Sequence, residues 1–245
     1  MEFQNHFLRE ALCAFRYEVD AANAEPALEY FHRFYTALKQ DGFTSHEQQP
    51  FELTIRVGNG SEAAAITPEL SKGHPSLVLR NEATGYAIII GIGVVSFNCL
   101  KPYPGWEVFL AELVHRYLPV YKALNIKQEL RAAQMAYIND FDLDAGEVAH
   151  DYLLHLPRLA ELAGAVGAGH ASQSHFHLPP ATTVTLQTNV LIGQPGTLDR
   201  VVLECNAITT AADAADELML ATTAHAAARA AFMSVASAKF KESIA

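Results

Sequence analysis

Hydrophobic and polar residues alternate in several segments of this chain, and a period of two residues is typical of β-strands. Residues 11–19 follow this period, with Cys13, Phe15 and Tyr17 on one face and charged residues on the other. Residues 51–57 follow it most strictly. The same pattern predicts further strands at 76–80, 86–99, 129–141, 182–193 and 200–208.

Between these strands, apolar residues recur with the 3.6-residue period that is typical of amphipathic helices. This period predicts helices at about 26–40, 106–124, 147–163 and 212–243. Pro119 lies inside the second helix and is expected to kink or break it, because proline cannot donate the helical hydrogen bond. Residues 164–177 are rich in Gly, Ala, Ser and His and are predicted to form a loop.

The predicted elements occur in the order β-α-β-β-β-α and then β-α-β-β-α. This order indicates a diverged internal duplication, with halves at about 8–125 and 126–245. Consecutive strands are joined by turns rather than by crossover helices, so they are expected to pair antiparallel. We therefore predict one α+β domain over 1–245, with a predominantly antiparallel sheet and helices on one face.

The composition is that of a globular protein and excludes some partners. Half of the residues are hydrophobic and 18% are charged, so a core can be buried. A net charge of −10 argues against nucleic acid, which requires a basic face. The N-terminus lacks a signal-peptide pattern, and the longest apolar stretch, Tyr86–Val95, is too short for a membrane-spanning helix. We expect a cytoplasmic protein with reduced core thiols at Cys13, Cys99 and Cys205.

The segment SFNCLKPYPGW at 96–106 joins the end of a predicted strand to the start of a helix. Its two prolines cannot donate to a sheet and therefore end the strand. Gly105 permits an unusual turn, Asn98 can bond the turn backbone, and Tyr103 and Trp106 can hold the helix against the sheet. These four residues are interpreted as a structural corner rather than as a site.

The corner and two later segments resemble an uncharacterised family of bacterial and archaeal proteins of similar length, distributed sporadically among genomes. That family shows F-x-N-x-L-x-x-Y-x-G-W-x-x-F, then a strand ending in R-Y-I-N, then D-I-D and a last helix bearing a His. The matching residues are Phe97, Asn98, Leu100, Tyr103, Gly105, Trp106, Phe109, Tyr137, Ile138, Asn139, His225 and Phe232. The resemblance covers essentially the whole chain, and it implies no particular activity.

The chain departs from the family pattern at two places. Ala136 stands where the family tends to carry arginine, and Glu204-Cys205-Asn206 stands where it tends to carry Asp-x-Asp. A cation and part of an acidic pair are lost together, which is expected of a structural ion-pair network more than of catalytic residues.

Two sets of residues are candidates for ligand binding. Glu204 and Asn206 share one face of their predicted strand, which gives a polar patch if the neighbouring strand pairs with it. Gly91 and Gly93 leave a flat spot on a strand, and His225 lies in the middle of the inward stripe of the last helix. This second set predicts a small-molecule cavity between the sheet and the C-terminal helix, although the same small residues also permit direct packing.

A third candidate is a metal site formed by His170, His175 and His177. Two imidazoles separated by one residue on a strand lie on the same side, where one cation can bridge them. No carboxylate follows at ligand spacing, and a solvated loop is the alternative interpretation.

No catalytic residues are predicted, because nucleophile, phosphate-loop and zinc-protease motifs are absent from the sequence. The leading hypothesis is a non-enzymatic interaction protein without a cofactor that binds another protein, as a component of a defence-type or toxin-linked system. The alternatives are the small-molecule binding protein and a metal-dependent enzyme that uses the three histidines. A homodimer is compatible with each of them.

Overall fold

A computed structural model describes residues 7–19, 27–47, 76–100, 102–124, 128–144, 147–156, 169–191, 199–211 and 216–243. Its strands are β1 (Leu8–Val19), β2 (Thr44–Glu47), β3 (Ser76–Asn81), β4 (Tyr86–Gly91), β5 (Val94–Leu100), β6 (Gln128–Asp142), β7 (Gly169–Leu178), β8 (Thr182–Leu191) and β9 (Arg200–Thr210). Its α-helices are α1 (Ala27–Lys39), α2 (Trp106–Phe109), α3 (His115–Lys122), α4 (Ala149–Tyr152), α5 (Glu217–Val235) and α6 (Ala238–Ser243). The strand predicted at 51–57 lies outside the described residues.

The described strands form one nine-stranded sheet in the order β2-β3-β4-β5-β1-β6-β9-β8-β7. Every neighbouring pair is antiparallel, so the predicted α+β class with an antiparallel sheet is confirmed. The first strands of the two proposed halves, β1 and β6, pair at the centre. Outward from them, β5, β4 and β3 correspond in position to β9, β8 and β7, which agrees with a duplication.

The described helices pack on one face of the sheet, as predicted. That face carries the apolar positions of each strand, such as Cys13 and Phe15 of β1, which are fully buried. Small residues of α5 let the helix lie close to the strands, and Ala221, Ala224 and Ala228 are all 0% exposed. Close packing of this kind excludes water from a large apolar surface and stabilises the layer. The three cysteines are free and buried, as expected of core thiols.

The long strand predicted at 86–99 is in fact two strands joined by a tight turn. β4 ends at Gly91 and β5 begins at Val94, and Gly93 takes a φ of +73° in the turn. The prediction was wrong because apolar residues continue through the turn and no polar residue marks it. The left-handed backbone at Gly93 is the conformation that glycine adopts without a Cβ penalty.

Residues 164–177 were predicted as a loop, but Gly169–Leu178 form the edge strand β7. A helix was predicted at 147–163, but among the described residues of this range only Ala149–Tyr152 are helical. The helix ends there because Leu153 already forms a β-bridge with Ala236. The last helix ends at Val235 rather than continuing to 243. Ser237 immediately precedes α6, and its Oγ accepts a hydrogen bond from the Phe240 N–H at 3.1 Å.

The helix after the corner begins at Trp106, as predicted, and it is not broken at Pro119. It continues through Pro119 to Lys122, with a π-helical turn at Leu110–Val114 before the proline. In that turn the His115 N–H donates to the Leu110 carbonyl, five residues earlier. A wider turn of this type is a recognised way for a helix to absorb an irregularity.

Candidate functional site

The face of the sheet opposite the described helices carries a band of polar side chains across its central strands. Ser96 and Asn98 lie on β5, Gln134 on β6, and Asn206 on β9. All four are buried, with exposed fractions of 7%, 3%, 5% and 2% in that order. We call this surface the open face, because the described helices leave it uncovered.

Hydrogen bonds connect these polar side chains in two groups. The Ser96 Oγ donates to Asn98 Oδ1 at 2.7 Å, and the Asn98 Nδ2 donates to Glu10 Oε1 at 2.5 Å. The Gln134 Nε2 donates to Asn206 Oδ1 at 3.1 Å. Buried polar groups are stable only when they are satisfied in this way. These hydrogen bonds hold the side chains of Asn98 and Glu10 in place on the open face.

Two carboxyl groups of the open face lie in the same row across the strands. Glu10 and Glu204 both pair with Ile138, which lies between them on β6. Burial raises the pKa of Glu204, and the charge of Glu10 raises it further. Asp140 is different, because hydrogen bonds from Arg200 and Arg9 hold its pKa below the usual value.

A cavity of about 480 Å³ opens on this face above β3, β4, β5, β1 and the end of β6. Its polar lining consists of Arg9, Glu10, Arg80, Asn98 and Asp140. Its apolar lining consists of Val78, Ala87, Ile89 and Leu100. The cavity therefore combines charges of both signs with an apolar floor, which is the usual composition of a binding site.

The charges around the cavity are not all neutralised. Arg9 and Asp140 form an ion pair at 3.3 Å, and Arg200 reinforces it. Among the described residues, neither the Arg80 guanidinium nor the Glu10 carboxylate has a partner of opposite charge. Within the part of the chain that the structure describes, a cation and an anion without an ionic partner thus line one cavity.

The predicted polar patch is present on the open face, beside the cavity. Glu204 lies opposite Gln187, and Asn206 lies opposite Thr185. Asn98 was predicted to bond the turn backbone, but its side chain bonds Ser96 and Glu10 instead, because its strand position directs it to the open face. Sequence interpretation missed Glu10, Arg9 and Arg80. Glu10 and Arg80 occupy even-numbered strand positions opposite to the buried face of β1 and β3, whereas Arg9 lies at a register shift between Leu8 and Glu10 that alternation does not reveal.

Ala136 and Asn206, which the sequence analysis singled out, are neighbours on this face. Ala136 lies directly opposite Asn206 in the pairing of β6 with β9. The present alanine and amide side chains make no ionic contact with each other.

The other predicted ligand residues are not brought together. Gly91 ends β4 and Gly93 lies in the turn, so they do not share one strand face. The Gly93 carbonyl accepts a hydrogen bond from the Tyr17 N–H at 2.8 Å, which ties the turn to β1. His225 lies far along the chain on α5 and packs on the opposite side of the sheet from the cavity.

The three histidines lie on β7, but their side chains do not all point to the same face of the sheet. His175 and His177 share the open face, as predicted, and contact Thr185 at 3.1 Å and Thr183 at 3.2 Å. His170 points to the opposite face, because it is five residues from His175 and side chains alternate. Within the described ranges, no group of three or more His, Cys, Asp or Glu side chains is arranged to hold a metal ion.

The corner and His225 meet on the helix side of the sheet. The rings of Trp106 and His225 stack with centroids 4.4 Å apart and an angle of 3°. The Tyr137 hydroxyl lies 2.5 Å from His225 Nδ1 and 3.4 Å from the Tyr103 hydroxyl. Gly105 has a φ of +95° immediately before the helix, so the predicted unusual turn is present.

The protonation states in this cluster follow from burial. Burial, together with a smaller effect of the nearby Arg229 cation, lowers the pKa of His225 to about 4. Burial also raises the pKa of Tyr137 well above its usual value. The imidazole is therefore neutral at pH 7, and its Nδ1 shares a hydrogen bond with the Tyr137 hydroxyl. The cluster connects the corner, β6 and α5, which supports its interpretation as a structural element.

We expect Tyr137→Phe to lower the free energy of unfolding by about 1–3 kcal/mol, because His225 Nδ1 would lose its hydrogen-bond partner inside the protein. Chemical denaturation at pH 7 would measure this loss. Tyr86→Phe is a matched control, because its hydroxyl bonds the surface carboxylate of Glu112 at 2.7 Å and should cost less. Equal losses of unfolding free energy in the two variants would show that the Tyr137 contact with His225 stabilises the protein no more than the Tyr86 contact with Glu112.

Comparison of the chain with protein-family models, with curated proteins and with solved structures gives no match. No helix among the described residues has the length and apolar character needed to cross a membrane. The geometry of the open face and the chemistry of its lining residues are the features that indicate a function.

Proposed function

We propose that this protein is a non-enzymatic interaction protein that binds a segment of another protein in the cavity of its open face. The observation that carries the proposal is the pair of uncompensated charges, Arg80 and Glu10, at a cavity with an apolar floor. Such a site binds an apolar side chain and orients it with charged groups on either side.

The architecture favours a protein partner over a free small molecule. Small-molecule sites usually enclose most of their ligand. All residues that line this cavity come from one layer of strands, so the described residues leave a ligand exposed on its outer side. A protein segment supplies that missing cover with its own surface. The net charge of −10 makes a nucleic-acid partner unfavourable.

The lining also indicates what the partner presents. Arg80 selects an acidic side chain, and Glu10 selects a basic side chain or an N–H donor. Val78 is 2% exposed and lies in the floor with Ala87 and Ile89, so the central contact is apolar. We therefore propose a short segment in which an apolar residue is flanked by residues of opposite charge.

Native mass spectrometry of untagged protein from its natural host tests the proposal. We expect a second polypeptide bound to the wild type, and a loss of affinity of roughly tenfold or more in Arg80→Glu. Arg33→Glu on the exposed side of α1 is the matched control, because it makes the same change of charge on the helix side. Equal loss in both variants, or a wild type that carries only a small molecule, would contradict the proposal.

A further inference from the structure

The two strands at one end of the sheet, β8 and β7, contain no formally charged residues. Residues 169–191, which form β7, its turn and β8, contain no Asp, Glu, Lys or Arg, whereas the whole chain has 27 acidic and 17 basic residues. This uncharged hairpin lies at one end of the sheet, at the far side of β9 from the cavity. Charge is therefore concentrated elsewhere in the chain.

β7 is also the longer of the two edge strands. It is ten residues long and pairs with β8 over its full length without a register shift, and no other described strand pairs with it. The opposite edge strand, β2, has only four residues. Proteins usually protect a long edge with charged residues, proline or a bulge, because its free N–H and C=O groups can pair with another chain. β7 has none of these features.

Exposed apolar side chains accompany this edge. Phe176 is 49% exposed and Leu178 is 42% exposed, and both lie on the side of the sheet that faces the helices. They leave apolar surface in contact with water directly beside backbone groups that no other described strand pairs with. A neighbouring strand would cover both features at once.

We infer that β7 is a self-association edge, at which a second copy of this chain pairs antiparallel with β7. A two-fold axis perpendicular to the sheet relates two antiparallel copies of one strand, so each contact is made twice. Under this symmetry the two sheets join into one, with both helix layers on one side and both open faces on the other.

The charge distribution is the reason why we assign the strand that pairs with β7 to a second copy of this chain. Two chains that each carry a charge of −10 repel one another over most of their surfaces. The uncharged hairpin is the part of the described surface where they can approach with the least repulsion. Strand pairing over ten residues would add about ten hydrogen bonds, which is the number found in a typical protein interface.

Light scattering and analytical ultracentrifugation over a concentration series test this inference. We expect a wild-type dimer, and an increase in its dissociation constant of roughly tenfold or more in Phe176→Lys, because a lysine blocks an edge. Met219→Lys is the matched control, because Met219 is 56% exposed on α5 and its replacement makes the same change of charge. A monomeric wild type, or a dimer weakened equally by both variants, would overturn the inference.

A second variant tests the pairing itself. The three natural cysteines are buried, so Ser174→Cys introduces an accessible thiol near the middle of β7. We expect a short bis-maleimide reagent to convert this variant into a covalent dimer, and to leave Thr223→Cys on α5 monomeric. Equal cross-linking of the two variants would contradict pairing at β7. Recovery of a different polypeptide joined to Ser174→Cys in host extract, without a homodimer, would assign the edge to another protein.

Discussion

Replacement of Phe97 by alanine is expected to lower the free energy of unfolding by about 3–5 kcal/mol. Phe97 is 0% exposed and lies in β5, between Ile88 of β4 and Cys13 of β1. Its ring meets the Phe15 ring with centroids 6.2 Å apart in an edge-on contact. Removal of the ring leaves a void in the helix-facing core, where close-packed neighbours cannot fill it completely.

Urea denaturation followed by circular dichroism would measure this loss. Phe97→Leu keeps most of the volume and is expected to cost less than about 1.5 kcal/mol. Met219→Ala removes a side chain that is 56% exposed and should change stability by less than about 0.5 kcal/mol. A Phe97→Ala loss no larger than that of Met219→Ala would show that Phe97 does not lie in the core.

Alternation predicted the strands whose two faces have different surroundings. β8 shows this most clearly, because its buried and partly exposed positions alternate from Thr182 to Val190. β7 was missed for the opposite reason. Phe176 and Leu178 are the large apolar residues of β7, and both are exposed, so no buried apolar face marks this edge strand. Physical pairing with β8 determines its structure, and that pairing is not visible in local sequence.

The contents of the candidate site were only partly predictable. The shared face of Glu204 and Asn206 follows from their spacing alone. Their position beside Asn98 and Glu10 depends on the sheet order, because β5, β1, β6 and β9 are neighbours in space and distant in sequence. The stacking of Trp106 on His225 likewise depends on where α5 crosses the sheet.

Acid is expected to destabilise the protein through His225. Its pKa is about 4 in the folded protein, whereas an unperturbed histidine has a value of 6.5. The unfolded chain therefore binds more protons between pH 6.5 and 4, and stability falls as the pH falls through this window. The contribution is fully present above pH 6.5. We expect a loss of about 2 kcal/mol, which allows for partial exposure of the ring to solvent.

Unfolding free energies at several values between pH 7 and 4, measured for the wild type and His225→Gln, would isolate this contribution. Glutamine does not titrate, and its amide oxygen can still accept the Tyr137 hydroxyl hydrogen bond. Around His225, burial raises the pKa values of Tyr103 and Tyr137, so neither phenol titrates in this window. His155 also has a lowered pKa, but it acts equally in both proteins and cancels in the difference. The wild type should therefore lose more stability than the variant as the pH falls. Parallel curves would show that the folded protein accepts a proton at His225 as readily as the unfolded chain.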